Sequence, residues 1–367
     1  MTYQTYIHAP WCTKHCPYCN FTVYVDKNPP FIEWKDQILA NWNWHQTHMS
    51  NAPETLYFGG GTPSLLPVYL LKEIIDTITD TSTTEITIEV NPGDVNKDTL
   101  QAYQDIGINR VSLGIQTFNT RFERILGRQN TIAQATELLE MVAESNFHSW
   151  SFDIMFGIAS QTLDELAHDI EKILHIRPPH VSLYGLTYKE GTPLYRALQK
   201  GTIKDISEDL WADMFQLLTE SLENAGYTRY EVSNFSLPNH RSKHNEQIWK
   251  NGHYIGLGPS AHGFLPNGQR AVYPSVWHEW KKNIAPILET PTQENALTDF
   301  IITAIRHIDG ISRRELQRFQ AYIANPNSQD PILQYTEWTE EWIRLRKNGW
   351  ILADSITHNI LNRISFL

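Results

Sequence analysis

Cys12, Cys16 and Cys19 are the only cysteines among 367 residues, and they stand in the run Trp11-Cys-Thr-Lys-His-Cys-Pro-Tyr-Cys-Asn20. Three thiols cannot all pair as disulfides, and the C-x₃-C-x₂-C spacing lets three thiolates from one loop converge on a metal centre. A [4Fe–4S] cluster normally takes four cysteine ligands, so three would leave one iron open. An open metal position is where metal chemistry takes place. Two other readings fit the same residues: a tetrahedral zinc site of the three cysteines with His8 or His15, and three unrelated reduced thiols. The usual zinc signature, two short ligand pairs separated by a longer loop, is absent from the spacing.

A chain of this length has room for about two domains. Its opening residues lack a basic segment followed by an apolar run, so no secretory signal is expected. No stretch approaches the ~18 apolar residues of a membrane span. A lone thiol cluster that must stay reduced to bind metal fits the cytoplasm. Thirty Lys and Arg against 41 Asp and Glu give a net charge of −11, which argues against a nucleic-acid partner held by phosphate contacts. Twelve tryptophans supply aromatic core. Fifteen histidines leave room for metal or heme ligation beside ordinary hydrogen-bonding roles.

Positioning such a loop requires a scaffold, and the first half of the chain alternates β-branched runs with amphipathic stretches. Strands are expected at Thr5–His8, Thr55–Phe58, Glu85–Val90, Arg110–Ile115, Ser151–Phe156 and His180–Tyr184, with helices near 32–48, 64–79, 97–106, 131–145 and 162–175. Repeated βα units imply a parallel sheet with right-handed crossovers. Six units are too few for an eight-fold barrel and suit a curved, partly open (β/α)6 TIM-like barrel in the α/β class.

Period two separates two faces on each strand. Ile86, Ile88 and Val90 alternate with Thr87 and Glu89; Val111, Leu113 and Ile115 with Ser112, Gly114 and Gln116; Phe152, Ile154 and Phe156 with Ser151, Asp153 and Met155; Val181 and Leu183 with Ser182 and Tyr184. Parallel strands buried on both faces read as continuous apolar runs. Here one face suits the helices, and the small or polar face is expected to line a cavity that holds something polar. The distinctive residues fall near the C-terminal ends of the strands, where β/α folds build their sites. Gly59-Gly-Gly-Thr-Pro63 follows one strand and lets backbone groups approach a ligand closely. It matches neither the dinucleotide nor the Walker pattern.

Tyr6-Ile-His-Ala-Pro-Trp-Cys12 through Cys19 resembles the cluster loop of radical S-adenosylmethionine (SAM) enzymes. Phe58-Gly-Gly-Gly-Thr-Pro-Ser64, Glu89-Val-Asn-Pro92, Asn109-Arg-Val-Ser-Leu-Gly-Ile-Gln116 and Leu126-Gly-Arg128 resemble the subgroup around oxygen-independent coproporphyrinogen III oxidase. Later runs, among them Ser182-Leu-Tyr-Gly185, Glu190-Gly-Thr-Pro-Leu-Tyr195, Tyr230-Glu-Val-Ser-Asn-Phe235, His244-Asn245 and Tyr254 to His262, resemble its heme chaperone branch, HemW. The resemblance implies that Cys12, Cys16 and Cys19 hold three irons of a [4Fe–4S] cluster while SAM chelates the fourth. It implies that the Gly60-Gly61-Thr62 backbone binds the SAM amino group and that Tyr6 packs beside the cluster. Glu89, Gln116, Arg128 and Asp153 would contact SAM's polar groups, and Gly185 and His262 would do so through backbone. For Glu89 and Asp153 the alternative is a structural carboxylate paired with Arg110 or Arg128.

The chain departs from the decarboxylating oxidase in two respects. Phe21 stands where that enzyme usually carries a further cysteine, and the oxidase's long N-terminal extension has no counterpart before the cluster loop. It departs from the chaperone branch in one, since Ile248 replaces a tyrosine in His244-Asn-Glu-Gln-Ile-Trp249. The implied activity is heme binding and transfer to an acceptor protein, with His244 as the heme ligand, His240 and His253 as substitutes, and Trp249 stacking on the porphyrin. The rival activities are oxidative decarboxylation of coproporphyrinogen III and a radical SAM methyltransferase or heme-opening reaction.

Three regions are expected: a core over 1–235, a loop-rich connector with several histidines over 236–295, and a helical, winged-helix-like α+β region over 296–367. In the last, Ser312 and Glu315 read as a capping box opening a helix, a second helix runs from near Thr339 to Gly349, and Trp350-Ile-Leu352 reads as a strand. This region would serve as a cover or partner-docking element, and a peripheral contact with a membrane-bound acceptor is open to it.

Overall fold

A computed structural model of the chain describes residues 2–47, 52–79, 84–128 and 131–366. Six strands, β1 (Gln4–Ala9), β2 (Thr55–Gly60), β3 (Glu85–Val90), β4 (Arg110–Gln116), β5 (Ser149–Phe156) and β6 (His180–Gly185), lie side by side in chain order, each parallel to the next. Each coincides with an expected strand to within two residues at either end. Helices α1 (Phe31–Gln46), α2 (Val68–Ile78), α3 (Lys97–Asp105), α4 (Thr120–Leu126), α5 (Ile132–Ala143) and α6 (Leu163–Ile176) connect them. The helix expected over 32–48 ends at Gln46, and His48 lies outside the described residues. The one expected from 64 begins at Val68 behind a short 3₁₀ turn, Pro63–Leu65, because Pro67 has no N–H to give to a helix interior.

Local sequence explains these boundaries. In α2, Leu70, Leu71, Ile74, Ile75 and Ile78 recur at helical spacing and are buried against the sheet. Thr131 with Gln134 and Thr162 with Glu165 form reciprocal capping boxes that start α5 and α6. The apolar faces of β1–β6 and the inner faces of these helices make one hydrophobic core, with Ile86, Ile88, Val111, Leu113, Phe152 and Ile154 fully buried.

The sheet stays open, because β1 and β6 do not meet. After α7 (Pro193–Gln199) and α8 (Glu208–Asn224), the short strand β8 (Asn234–Ser236) adds antiparallel to β6, and β7 (Thr228–Arg229) adds antiparallel to β8. On the other side β9 (Tyr254–Leu257) pairs parallel with β1, and β10 (His262–Phe264), β11 (Arg270–Val272) and β12 (Ile287–Glu289) continue antiparallel. Among the described residues this sheet has twelve strands, and the stretch expected as a loop-rich connector carries four of them, besides α9 (Lys243–Trp249) and α10 (Trp277–Trp280). Pro238, Pro259, Pro266 and Gly268, which give the stretch its loop-like composition, fall between these elements and not within them. Gly256 lies inside β9, where a Cβ would come within 2.0 Å of the His262 carbonyl oxygen, so glycine is demanded by close strand approach.

The C-terminal region has its own hydrophobic cluster around Phe300, Ile301, Ile305, Ile343 and Ile360. It consists of α11 (Gln293–Ala304), β13 (Ile311–Ser312), α12 (Arg313–Leu316), β14 (Ala321–Ile323), β15 (Thr336–Trp338), β16 (Trp342–Leu345), α13 (Ala353–Leu361) and β17 (Ile364–Phe366). Ser312 does cap α12, accepting the Glu315 N–H, but that helix is a single turn. The helix expected from Thr339 to Gly349 is instead the tip and second strand of the β15–β16 hairpin. The Thr339 hydroxyl accepts the N–H groups of Glu341 and Trp342, closing the turn, and Trp338 pairs with Ile343. Trp350–Leu352 is part of a 3₁₀ helix, Lys347–Leu352, rather than a strand. The region docks on the core through an Ile308 N–H to Tyr230 carbonyl bond of 2.9 Å and through Trp350, whose ring lies 5.2 Å from the Arg229 guanidinium.

Candidate metal and cofactor site

A cavity of about 510 Å³ opens at the C-terminal ends of β1–β6. Its wall contains Cys12, Cys16 and Cys19 from the loop after β1, Gly60, Gly61 and Thr62 from the end of β2, and Glu89 from β3. Gln116 ends β4, Arg128 follows α4, Asp153 comes from β5 and Gly185 from β6, and these line it as well. The polar strand face expected from period two is this wall, and Ser112, Gly114, Met155 and Tyr184 belong to it too.

All three cysteines are free and half-buried. The Thr62 hydroxyl donates to Cys12 Sγ at 3.3 Å. Burial pushes the Cys12 thiol up to about 11 against the pull of Thr62 and the Arg128 guanidinium, and burial raises Cys19 as well. Metal binding at such thiols releases protons. Beneath the loop, Tyr18 packs on a small cluster of Phe122, Leu126, Met155, Ile158 and Leu194, and Leu194 N–H donates to the Pro17 carbonyl at 2.9 Å.

Of the two imidazoles that could complete a zinc site, His8 is engaged at both ring nitrogens and His15 at one. His8 Nε2 donates to the Thr22 carbonyl at 2.8 Å and its Nδ1 lies 3.2 Å from the Tyr6 hydroxyl; His15 Nε2 donates to the Cys19 carbonyl at 3.0 Å. Among the described residues no three His, Cys, Asp or Glu side chains surround a single metal position. A donor set of three thiols on one loop, each free to meet a different iron, fits a [4Fe–4S] cluster with one iron left over.

The two carboxylates are held by neutral donors. Glu89 accepts the Tyr57 hydroxyl at 3.0 Å and the Gly60 N–H at 3.2 Å, and burial beside Asp153 lifts it to about 7. Asp153 accepts the Ser112 hydroxyl, 3.0 Å from Oδ2, and the Ser151 hydroxyl at 3.1 Å; burial raises it, and these serines with Ser182 oppose the rise. Among the described residues neither carboxylate is in an ion pair with Arg110 or Arg128. Arg128 donates instead to Asn91 Oδ1 at 2.8 Å and to the Gly114 carbonyl. Gln116 sits at a register shift between β4 and β5 with φ +73°, a left-handed backbone that a non-glycine residue rarely adopts and that aims its side chain at the cavity. The sequence places Ser112, Ser151 and Ser182 on the polar, cavity-lining strand face without giving them a partner, and it assigns no role to Tyr57 or Asn91.

Three residues expected to contact cluster, SAM or heme are not among those lining the cavity. Tyr6 is one layer below the wall, stacked on Tyr57 with ring centroids 6.1 Å apart. His262 lies on β10, two strands beyond β1, with its side chain exposed. His244, expected as a heme ligand, is buried at the opposite, N-terminal end of the strands. Its Nδ1 is 2.7 Å from the Thr55 hydroxyl oxygen, its backbone N–H donates to Glu85, and its ring lies against Tyr57. Burial lowers this imidazole to about 3. Enclosed at 3 % exposure, it is a structural plug under β1–β3 and not an accessible heme ligand.

Residues 6–173 match the family model of the radical SAM superfamily. The chain is 33% identical over 266 residues to "Heme chaperone HemW" of Lactococcus lactis, covering 71% of this chain and 69% of that protein. It is 30% identical to the Bacillus subtilis protein of the same name, with 85% of each covered.

The chain belongs to the HemW family of radical SAM proteins.

A zebrafish (Danio rerio) relative, "Radical S-adenosyl methionine domain-containing protein 1, mitochondrial", is 33% identical over 97% of this chain and 86% of its own length. The fold is that of coproporphyrinogen III oxidase (HemN) from Escherichia coli, with a TM-score of 0.80 at 18% identity over 97% of this chain and 89% of that one. Radical SAM membership implies a [4Fe–4S] cluster and SAM, and the three-cysteine cavity fits both. Among the described residues no helix is long and apolar enough to cross a membrane.

Proposed function

We propose that this protein is a cytoplasmic heme chaperone that holds a [4Fe–4S] cluster on Cys12, Cys16 and Cys19. SAM binds against Gly60, Gly61, Thr62, Glu89, Gln116, Arg128, Asp153 and Gly185, and heme is cargo passed to an acceptor protein. When bound, the cluster would supply an open iron for SAM's amine and carboxylate to chelate. The chain's own residues orient SAM through the paired carboxylates and the exposed glycine backbone.

Phe21 carries the choice of chaperone over oxidase. Where the decarboxylating enzymes of the resembled subgroup carry a further cysteine, this chain presents a phenyl ring, 62 % exposed on the cavity wall. A phenyl ring offers neither a ligand nor a thiol, but it packs well on a flat apolar macrocycle. Val23 continues that wall, and Lys14 and Lys189 on the same rim supply cations for a porphyrin's carboxylates. We assign the heme-facing surface to these four residues. The C-terminal region, 296–367, is read as the acceptor-docking element, on a core whose sheet runs on past 235 through β9–β12. The test is an anaerobic assay of the cluster-loaded protein with SAM and coproporphyrinogen III. No protoporphyrinogen IX is expected, and its formation at enzyme-like turnover overturns the assignment.

A further inference from the structure

A chain of hydrogen bonds leads from the cofactor cavity down the inside of the sheet. Asp153 lines the cavity, and two residues earlier on β5 the Ser151 Oγ lies 3.1 Å from Asp153 Oδ1. Ser151 faces His180 in register on β6, with its Oγ 2.8 Å from His180 Nδ1. His180 Nε2 is 2.7 Å from the Tyr230 hydroxyl. The Tyr230 oxygen in turn accepts the backbone N–H of Ser242, the N-cap of α9, at 3.3 Å. Ser151, His180 and Tyr230 are 1, 1 and 0 % exposed, and none of them reaches the cavity.

The chemistry of these groups fixes where each proton sits. Burial, Arg110 and His240 hold the His180 imidazole well below its ordinary range, so it is neutral and carries one N–H. The Ser242 amide can only donate, and a carboxylate can only accept. Tyr230 therefore donates to Nε2, the ring proton is on Nδ1 and goes to Ser151, and the Ser151 proton goes to Asp153. Every donor in the chain points toward the cavity carboxylate. Ser182 Oγ, 3.0 Å from Ser151, and Ser112, within 3.2 Å of both Asp153 oxygens, brace it from the sides.

We infer that His180 and Tyr230 are positioning residues for SAM binding: they set the proton order that keeps Ser151 donating to Asp153, so that the carboxylate presents its free lone pairs to the cavity. This rests on the reading of Asp153 as a SAM contact. It also makes the cofactor cavity sensitive to elements outside the six-stranded core. The far end of the chain is held by the start of α9, and the Tyr230 carbonyl accepts the Ile308 N–H of the C-terminal region at 2.9 Å.

The experiment is a double-mutant cycle on the cluster-loaded protein, reading SAM dissociation constants at matched iron content. Tyr230→Phe removes the hydroxyl that holds Nε2 as an acceptor, frees the ring proton to change nitrogen, and turns the Ser151 proton away from Asp153. Roughly three- to tenfold weaker SAM binding is expected, the scale of one buried hydrogen bond. In an Asp153→Asn background Tyr230→Phe should add nothing, because the carboxylate it serves is gone. Equal losses in both backgrounds mean a general structural defect and overturn the inference, as does wild-type affinity of Tyr230→Phe. Wild-type affinity of Asp153→Asn itself removes the underlying assignment, a separate outcome. If Tyr230→Phe does not fold, the His180 pair decides: Asn keeps a donor toward Ser151 and should retain affinity, while Leu should lose it, and equal affinities contradict the proposal.

Discussion

Glu89 and Gly60 are tied across β2 and β3, the carboxylate Oε2 accepting the Gly60 N–H at 3.2 Å. Gly60 has φ +111°, and a Cβ there would come within 2.5 Å of the His8 ring, so only glycine fits. The same carboxylate takes the Tyr57 hydroxyl on its other oxygen. The glycine turn is thus held from below as a firm edge of the cavity, and Cys12 rests on that edge through the Thr62 hydroxyl. Cluster loop and SAM rim are one connected unit.

Iron retention should report that connection. Purified anaerobically, the protein should carry about four Fe per chain, and Cys12→Ala, Cys16→Ala or Cys19→Ala should bleach it. Gly61→Ala should also lower iron content, although it removes no ligand. Its Cβ would lie 2.7–2.9 Å from backbone atoms of Ala9, Pro10 and Trp11, which forces the cluster loop to shift. Iron assay and visible absorbance distinguish these outcomes, and a stoichiometric zinc protein with no charge-transfer band would contradict the cluster.

Glu89→Ala and Asp153→Ala should each weaken SAM binding roughly ten- to a hundredfold at near-normal iron content. Each removes a charge-assisted hydrogen bond worth about 1.5–3 kcal/mol. Collapse of the fold in both variants would make these carboxylates structural instead.

For His244→Ala the expected effect is on stability. The variant loses a buried ring, its bond to Thr55 and its contact with Tyr57, a cost of about 2–4 kcal/mol. Heme affinity should stay near wild type. Denaturant unfolding and a heme titration measure the two effects separately, and a stable variant that cannot bind heme would return His244 to the ligand role.

The share of the cofactor-free protein's stability that its buried carboxyls supply should fall as pH rises from 5 to 8, while the imidazoles of His180 and His244, held low by burial, act in the opposite direction as pH rises through about 6.5. Burial lifts Glu89 and Glu231 from 4.5 to about 7 and Asp169 from 3.8 to about 6. Their folded-state pKa values lie above the unfolded ones. Their stabilisation is therefore complete below the unfolded values and is lost as pH climbs through the folded ones. Glu246 acts oppositely, held down to about 2 by His307, Arg241 and Lys250, but its contribution is complete by about pH 5. Glu231→Gln, which keeps a neutral side chain of the same shape, removes the share of Glu231, so the wild type should lose stability relative to this variant as pH climbs through about 7. Thermal midpoints across that range check both points.

The parallel core was legible because period two is a property of the strand itself. Ile86 and Ile88 had to face the helices, which left Thr87 and Glu89 to the inner side. Gathering Glu89, Gln116 and Asp153 at one mouth followed from their places on successive strands. What was not legible depends on non-local geometry. The helix α4 has only seven residues, too few to show a 3.6-residue period, though Asn119 caps it and Gly127 ends it in the left-handed region. The backbone of Gln116 is set by the β4–β5 register shift. His244 was assigned by motif alone, and a motif does not say to which end of the sheet the chain returns after β8. It returns beneath β1–β3, away from the mouth. In the C-terminal region, Trp338 to Leu345 is a hairpin because Thr339 closes a turn, and that single contact outweighs the helical composition around it.

Heme titration of the anaerobically reconstituted protein tests the central claim most directly, with wild type and the cavity-wall variants Phe21→Ser and Lys14→Glu/Lys189→Glu compared side by side. The account expects roughly one heme per chain for wild type, a weakened complex for both variants, and unchanged cluster content throughout. Absence of saturable heme binding by the cluster-loaded wild type would contradict the chaperone assignment, and wild-type heme affinity in both variants would contradict the placement of the cargo on the Phe21 wall.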